Sequence, residues 1–113
     1  MVKVSILYPG AGGGRFDFDY YTSKHMPRSI ELLGAHPGFR SVTVERGVGG
    51  TEPGAPPKYV AACFYTFSSV EAFLEAFMPH AEELQSDMSN YTDIPADIQF
   101  NEILIERTGA FHG

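Results

Sequence analysis

Tyr21 and His25 stand four residues apart, and Pro27 follows two places later in the run from Phe16 to Pro27. On a helix that spacing puts the phenol and the imidazole on one face. A neutral imidazole can take a proton from an acidic carbon or a phenol and return it, while a phenol beside it can hold an oxygen on which charge develops. The proline adds to this. It removes one backbone hydrogen bond and crowds the carbonyl of Ser23, so the helix is expected to break beside His25 and leave polar groups open to a ligand. A histidine kept for packing is the alternative that the same residues permit.

Other candidate motifs carry less. His36, His80 and His112 show no pair at metal-ligand spacing, and the one cysteine, Cys63, lies among strand-type residues where a small buried hydrophobe is expected. Neither a metal nor an organic cofactor is expected. His80, beside Pro79, is the formal counterpart of His25, but Glu82, Glu83 and Gln85 around it mark a solvated surface. Gly10-Ala11-Gly12-Gly13-Gly14-Arg15 follows one element and precedes another, as a nucleotide loop would. Arg15 stands where a dinucleotide fingerprint needs its third glycine, and no phosphate-loop lysine follows, so a flexible turn is the better reading.

With 113 residues, 43% hydrophobic and 19% charged, the chain has the size and composition of one globular domain. That domain is assigned to 1–107, with 108–113 as a mobile tail. Eight basic residues against fourteen acidic ones give a net charge of −6, which supplies no concentrated positive field for nucleic acid or an anionic membrane. The apolar runs fall far short of the roughly 20 residues a membrane helix needs, and no signal-type segment opens the chain. A cytoplasmic location is expected.

Six elements must position the candidate residues. Val2 to Tyr8 alternates as a strand, and Asp17 or Asp19 caps a helix that Gly34 ends. Arg40 to Val48 reads as a second strand and Tyr59 to Phe67 as a third, separated by a loop rich in glycine and proline. Ser68 with Glu71 has the capping-box pattern for a second helix, whose buried stripe includes Phe73, Leu74, Phe77 and Leu84, with a bend at Pro79. Ser86 to Asp97 reads as polar and turn-rich, and Ile98 to Ile105 as a closing strand. The order βαββαβ predicts an α+β, ferredoxin-like domain: four antiparallel strands with two helices on one face. An internal echo fits its two halves, since Phe18-Asp19-Tyr20-Tyr21 with Pro27 returns as Val70-Glu71-Ala72-Phe73 with Pro79.

The third strand is apolar on both faces. Tyr59, Ala61, Cys63, Tyr65 and Phe67 alternate with Val60, Ala62, Phe64 and Thr66. Helices cover only one face of such a sheet, so a second copy packed sheet to sheet is expected over the other. The Ala61 and Ala62 faces are equally eligible at this level.

Val4 to Pro9, Phe16 to Pro27, Ser69-Val70-Glu71-Ala72-Phe73 and Asn90-Tyr91-Thr92-Asp93-Ile94-Pro95 resemble the EthD family, named for ethyl tert-butyl ether degradation, in the dimeric α/β-barrel superfamily. The resemblance covers nearly the whole chain. It implies a ferredoxin-like protomer, a homodimer joined through its sheets, and a pocket between sheet and helices near His25. Related enzymes use a residue at the position of His25 as acid or base. Tyr8, Tyr20, Tyr21, Phe64 and Tyr91 are the ligand-binding candidates.

The expected function is cofactor-free proton transfer by His25 on an apolar or aromatic carbonyl compound, as in a cyclase, dehydratase or monooxygenase. The alternative is a non-catalytic, ligand-binding helper of an oxygenase, such as an ether-degrading cytochrome P450 system.

Overall fold

The structure is a computed structural model, and it describes residues 1–109. The predicted tail from Thr108 therefore lies mostly outside the described residues. Four strands, β1 (Val2–Pro9), β2 (Phe39–Arg46), β3 (Tyr59–Phe67) and β4 (Asp97–Glu102), form one sheet in the order β2-β3-β1-β4. Every pairing is antiparallel. This is the ferredoxin-like α+β arrangement that the element order predicts. β2 and β4 both end earlier than the apolar pattern suggests.

The helical layer is built in pieces. α1 (Phe18–Tyr20) runs into a π-helical stretch, Tyr21–His25, and then into α2 (Met26–Gly34). Asp17 caps the start, its carboxylate accepting the Tyr20 N–H at 3.1 Å. Pro27 has no N–H to return to Ser23, and the break falls in the turn before it: the Met26 N–H reaches back five residues to the Tyr21 carbonyl. The widened turn holds the Tyr21 and His25 rings side by side, nearly parallel, with centroids 5.9 Å apart.

The second half repeats the device. α3 (Val70–Phe77) meets a short 3-10 turn, Met78–His80, at Pro79 and continues as α4 (Ala81–Asp87) and a further 3-10 turn, Met88–Asn90. Helix therefore occupies part of the stretch read as turn-rich. The cap is also one residue later than expected. Ser69, not Ser68, adopts the extended backbone and accepts the Ala72 N–H at 3.0 Å, worth about 1 kcal/mol. Counting from Ser69, the third helical position is Ala72, so Glu71 cannot complete a capping box.

Val4, Tyr8, Ala61, Cys63, Tyr65 and Phe67 are buried on the face toward the helices. The cross-strand partners Val4–Tyr65, Ile6–Cys63 and Tyr8–Ala61 share that face, and Phe67 meets Phe73 of α3 edge to face at 5.4 Å. The other face carries Leu7, Val60, Ala62 and Phe64, all half-buried, with no helix over them. The helices thus take the Ala61 face and leave the Ala62 face open.

Candidate functional site

A cavity of about 90 Å³ lies between the sheet and the helices, lined among others by Tyr8, Tyr21, His25, Cys63, Tyr91 and Ile98. His25 enters it from the π-helical turn and is almost completely buried. Its Nδ1 lies 2.9 Å from Asp87 Oδ2 at the end of α4. An ionised carboxylate only accepts, so Nδ1 carries the proton and Nε2 keeps its lone pair for the cavity.

Asp87 is held in place by two further donors. The Tyr20 hydroxyl donates to Oδ1 at 2.6 Å and the Asn90 amide at 2.9 Å. Partial burial pushes the Asp87 carboxyl upward, but the hydrogen bonds from Tyr20, Asn90 and His25 outweigh it and hold the group below the usual carboxylate range. A carboxylate that stays ionised beside Nδ1 fixes the tautomer and stabilises an imidazolium when one forms.

The far side of the imidazole faces phenols. Nε2 is 3.5 Å from the Tyr91 hydroxyl, which is 2.8 Å from that of Tyr8. Burial raises both phenols above their ordinary range, so they remain neutral. The second half of the chain delivers Tyr91: its carbonyl accepts the Asp17 N–H at 2.7 Å, and its own N–H goes to the Met88 carbonyl at 3.0 Å. Beside it, the Arg15 N–H donates to Asp93 and the Thr92 hydroxyl to the Arg15 carbonyl. Gly14 allows that approach, because a Cβ there would fall 2.4 Å from Ile94.

Tyr8, Tyr21, His25 and Tyr91 therefore converge on one cavity. Two candidates do not join them. Phe64 pairs across the strands with Ser5 and Thr43 and lies on the open face of the sheet, because its neighbour Cys63 takes the inward position. Tyr20 lines the outer groove with Lys24 and Arg28, and it reaches the site only through Asp87. Asp87 and Asn90 were missed by sequence reasoning. They sit in a stretch read as turn, and no local pattern marks a carboxylate that meets a histidine 62 residues away. Cys63 lines the cavity as a buried thiol pushed up to about 12 by desolvation, which leaves it protonated. Among the described residues, no three His, Cys, Asp or Glu side chains gather as metal ligands. No described helix is long and apolar enough to cross a membrane.

The EthD domain matches residues 15–95, a span that contains His25, Asp87 and Tyr91. The chain belongs to the EthD family. It is similar to an EthD-like protein from Ralstonia eutropha JMP134, with 40% identity over 95% of both chains and a TM-score of 0.86. An EthD family protein from Bacillus halodurans C-125 is 23% identical over 92% of this chain and 99% of its own, with a TM-score of 0.65. A cofactor-independent oxygenase from Streptomyces nogalater shares the fold at 14% identity, covering 93% of this chain and 92% of its own, with a TM-score of 0.53. No curated protein matches the sequence. For this EthD protein the arrangement supplies a cavity between sheet and helices and an oriented imidazole inside it.

Proposed function

We propose that this EthD protein binds an apolar or aromatic carbonyl compound in the cavity and moves a proton on it with His25, without a cofactor. The observation that carries the reading is the placement of His25: Nδ1 is tied to Asp87 on the outer side while Nε2 opens on the cavity. A ligand C–H beside its carbonyl would give its proton to Nε2, and the electron pair would remain on the carbon and carbonyl oxygen as an enolate. The imidazolium is balanced by Asp87 and returns the proton to carbon, to oxygen or to a leaving group. Return to carbon is exchange; return to the alkoxide formed when the enolate carbon adds to a second carbonyl of the ligand is cyclisation; return to a β-hydroxyl that the enolate expels as water is dehydration. With molecular oxygen as co-substrate, the enolate carbon would instead form a C–O bond to O2, and the hydroperoxide, protonated by the imidazolium, would lose its O–O bond and the carbon's second C–H as water to leave a new C=O, the ligand itself supplying the electrons. The protein acts as a homodimer joined through its Ala62 faces, where half-buried Leu7, Val60, Ala62 and Phe64 await a cover.

Deuterium exchange into the methyl group of acetophenone, followed by proton NMR, tests the chemistry without the natural substrate. The wild-type protein should accelerate exchange, and His25→Asn should lower the rate by about 10² to 10⁴ while its amide nitrogen takes the place of Nδ1 and still donates to Asp87. Equal rates for the two proteins would refute the proton-transfer reading.

A further inference from the structure

Among the buried side-chain nitrogens and oxygens of the described residues, only the Tyr21 hydroxyl has no hydrogen-bond partner. Native proteins rarely leave a buried donor unused. The other hydroxyls around it are taken, Tyr8 by Tyr91 at 2.8 Å and Ser29 by Tyr65 at 2.7 Å. Nor can the ring turn outward. Phe16 and Tyr91 hold it with centroids 4.9 Å away on each, and the residue is 1% exposed. Desolvation keeps this phenol neutral, so it has a proton to offer.

The surroundings restrict what could accept that proton. No lysine or arginine lines the cavity, and its one basic group, His25, already faces Asp87. An anionic head group would be buried without a counter-charge, whereas a neutral oxygen needs none. Size adds a second restriction. The space of about 90 Å³ is smaller than the roughly 150 Å³ apolar cavity that holds benzene, so only a small head fits fully inside. The remainder must point toward the mouth, where Ile98, 60% exposed at the β4 edge, and exposed Gln85 line the cavity.

We infer that Tyr21 is the polar anchor of this cavity, donating its hydroxyl hydrogen to a neutral carbonyl oxygen carried at the leading edge of an otherwise apolar ligand. This rests on the cavity being the binding site proposed above. The same hydrogen bond would strengthen as an enolate forms, so the anchor and the base act on adjacent atoms of one ligand.

Acetophenone and α-methylstyrene have nearly the same shape and differ in C=O against C=CH2. Each is titrated into nitrogen-15-labelled protein, wild type and Tyr21→Phe, with benzoate as the anionic comparison. Wild type should bind the ketone about tenfold more tightly than the alkene, a factor in the range one neutral hydrogen bond supplies. Tyr21→Phe should bind the two equally and melt no lower, because the lost hydroxyl had no partner. Benzoate should bind more weakly than acetophenone. Equal binding of ketone and alkene by the wild type, or a preference that survives Tyr21→Phe, would overturn the anchor and leave the apolar cavity reading standing. Binding of neither at millimolar concentration would overturn both.

Discussion

Replacing Asp87 by asparagine should disable His25 while leaving the fold in place. Two donors, the Tyr20 hydroxyl at 2.6 Å and the Asn90 amide at 2.9 Å, converge on Oδ1, and one, His25 Nδ1 at 2.9 Å, meets Oδ2. Asparagine retains a single acceptor oxygen, which belongs where two donors meet, so its NH2 group turns toward the imidazole. His25 can accept from that group only by moving its proton to Nε2. The cavity-facing nitrogen then has no lone pair and ceases to be a base. The analogous substitution in a Ser-His-Asp triad lowers turnover by about 10⁴, and a fall of about 10² to 10⁴ in acetophenone exchange is expected here.

The stability change from Asp87→Asn should be smaller. Three hydrogen bonds to a carboxylate become bonds to a neutral amide, a loss of about 1 to 2 kcal/mol, or about 4 to 8 °C in Tm for a chain of this size. The variant also reports on pH. Because the folded-state pKa of Asp87 lies below its ordinary value, its contribution to stability is present above the usual carboxylate range and is lost as pH falls through the folded pKa. Asp87→Asn removes that part of the acid limb, and the difference in Tm between wild type and variant should shrink as pH falls below about 4 toward the folded pKa. Nitrogen-15 NMR of labelled histidine reads the tautomer directly. A variant that keeps its proton on Nδ1 and exchanges ketone protons at the wild-type rate would refute the orienting role of Asp87.

Tyr91→Phe should lower stability by about 1 to 3 kcal/mol, because it strands the buried Tyr8 hydroxyl 2.8 Å away, whereas the double variant with Tyr8→Phe should recover much of that loss. Thermal melts of the four proteins measure the difference, and additive losses would show that the two hydroxyls do not depend on each other. Light scattering at micromolar concentration should report about twice the chain mass, and Phe64→Glu on the open sheet face should give monomers or aggregate. A monomeric wild type would refute the sheet-to-sheet dimer.

Local physics made the fold legible in the sequence. Strand alternation in β1 and β3, the Asp17 cap and the proline breaks at Pro27 and Pro79 are each decided by residues within a few positions of one another. The proximity of Tyr21 and His25 is of the same kind, since one turn of helix sets it. Other parts required tertiary contacts. Which face of β3 receives the helices depends on packing between distant elements, and that packing turned Phe64 away from the cavity. Tyr20 and Tyr21 are adjacent in sequence yet point to opposite sides of the helical layer, one clamping Asp87 from outside and the other lining the cavity. The hydrogen bonds that orient His25 span 62 residues to Asp87 and 66 to Tyr91. Periodicity and capping act over single turns, so the sequence by itself determined the elements and the face that His25 shares. Only the closure of the two βαβ halves on each other could choose its partners.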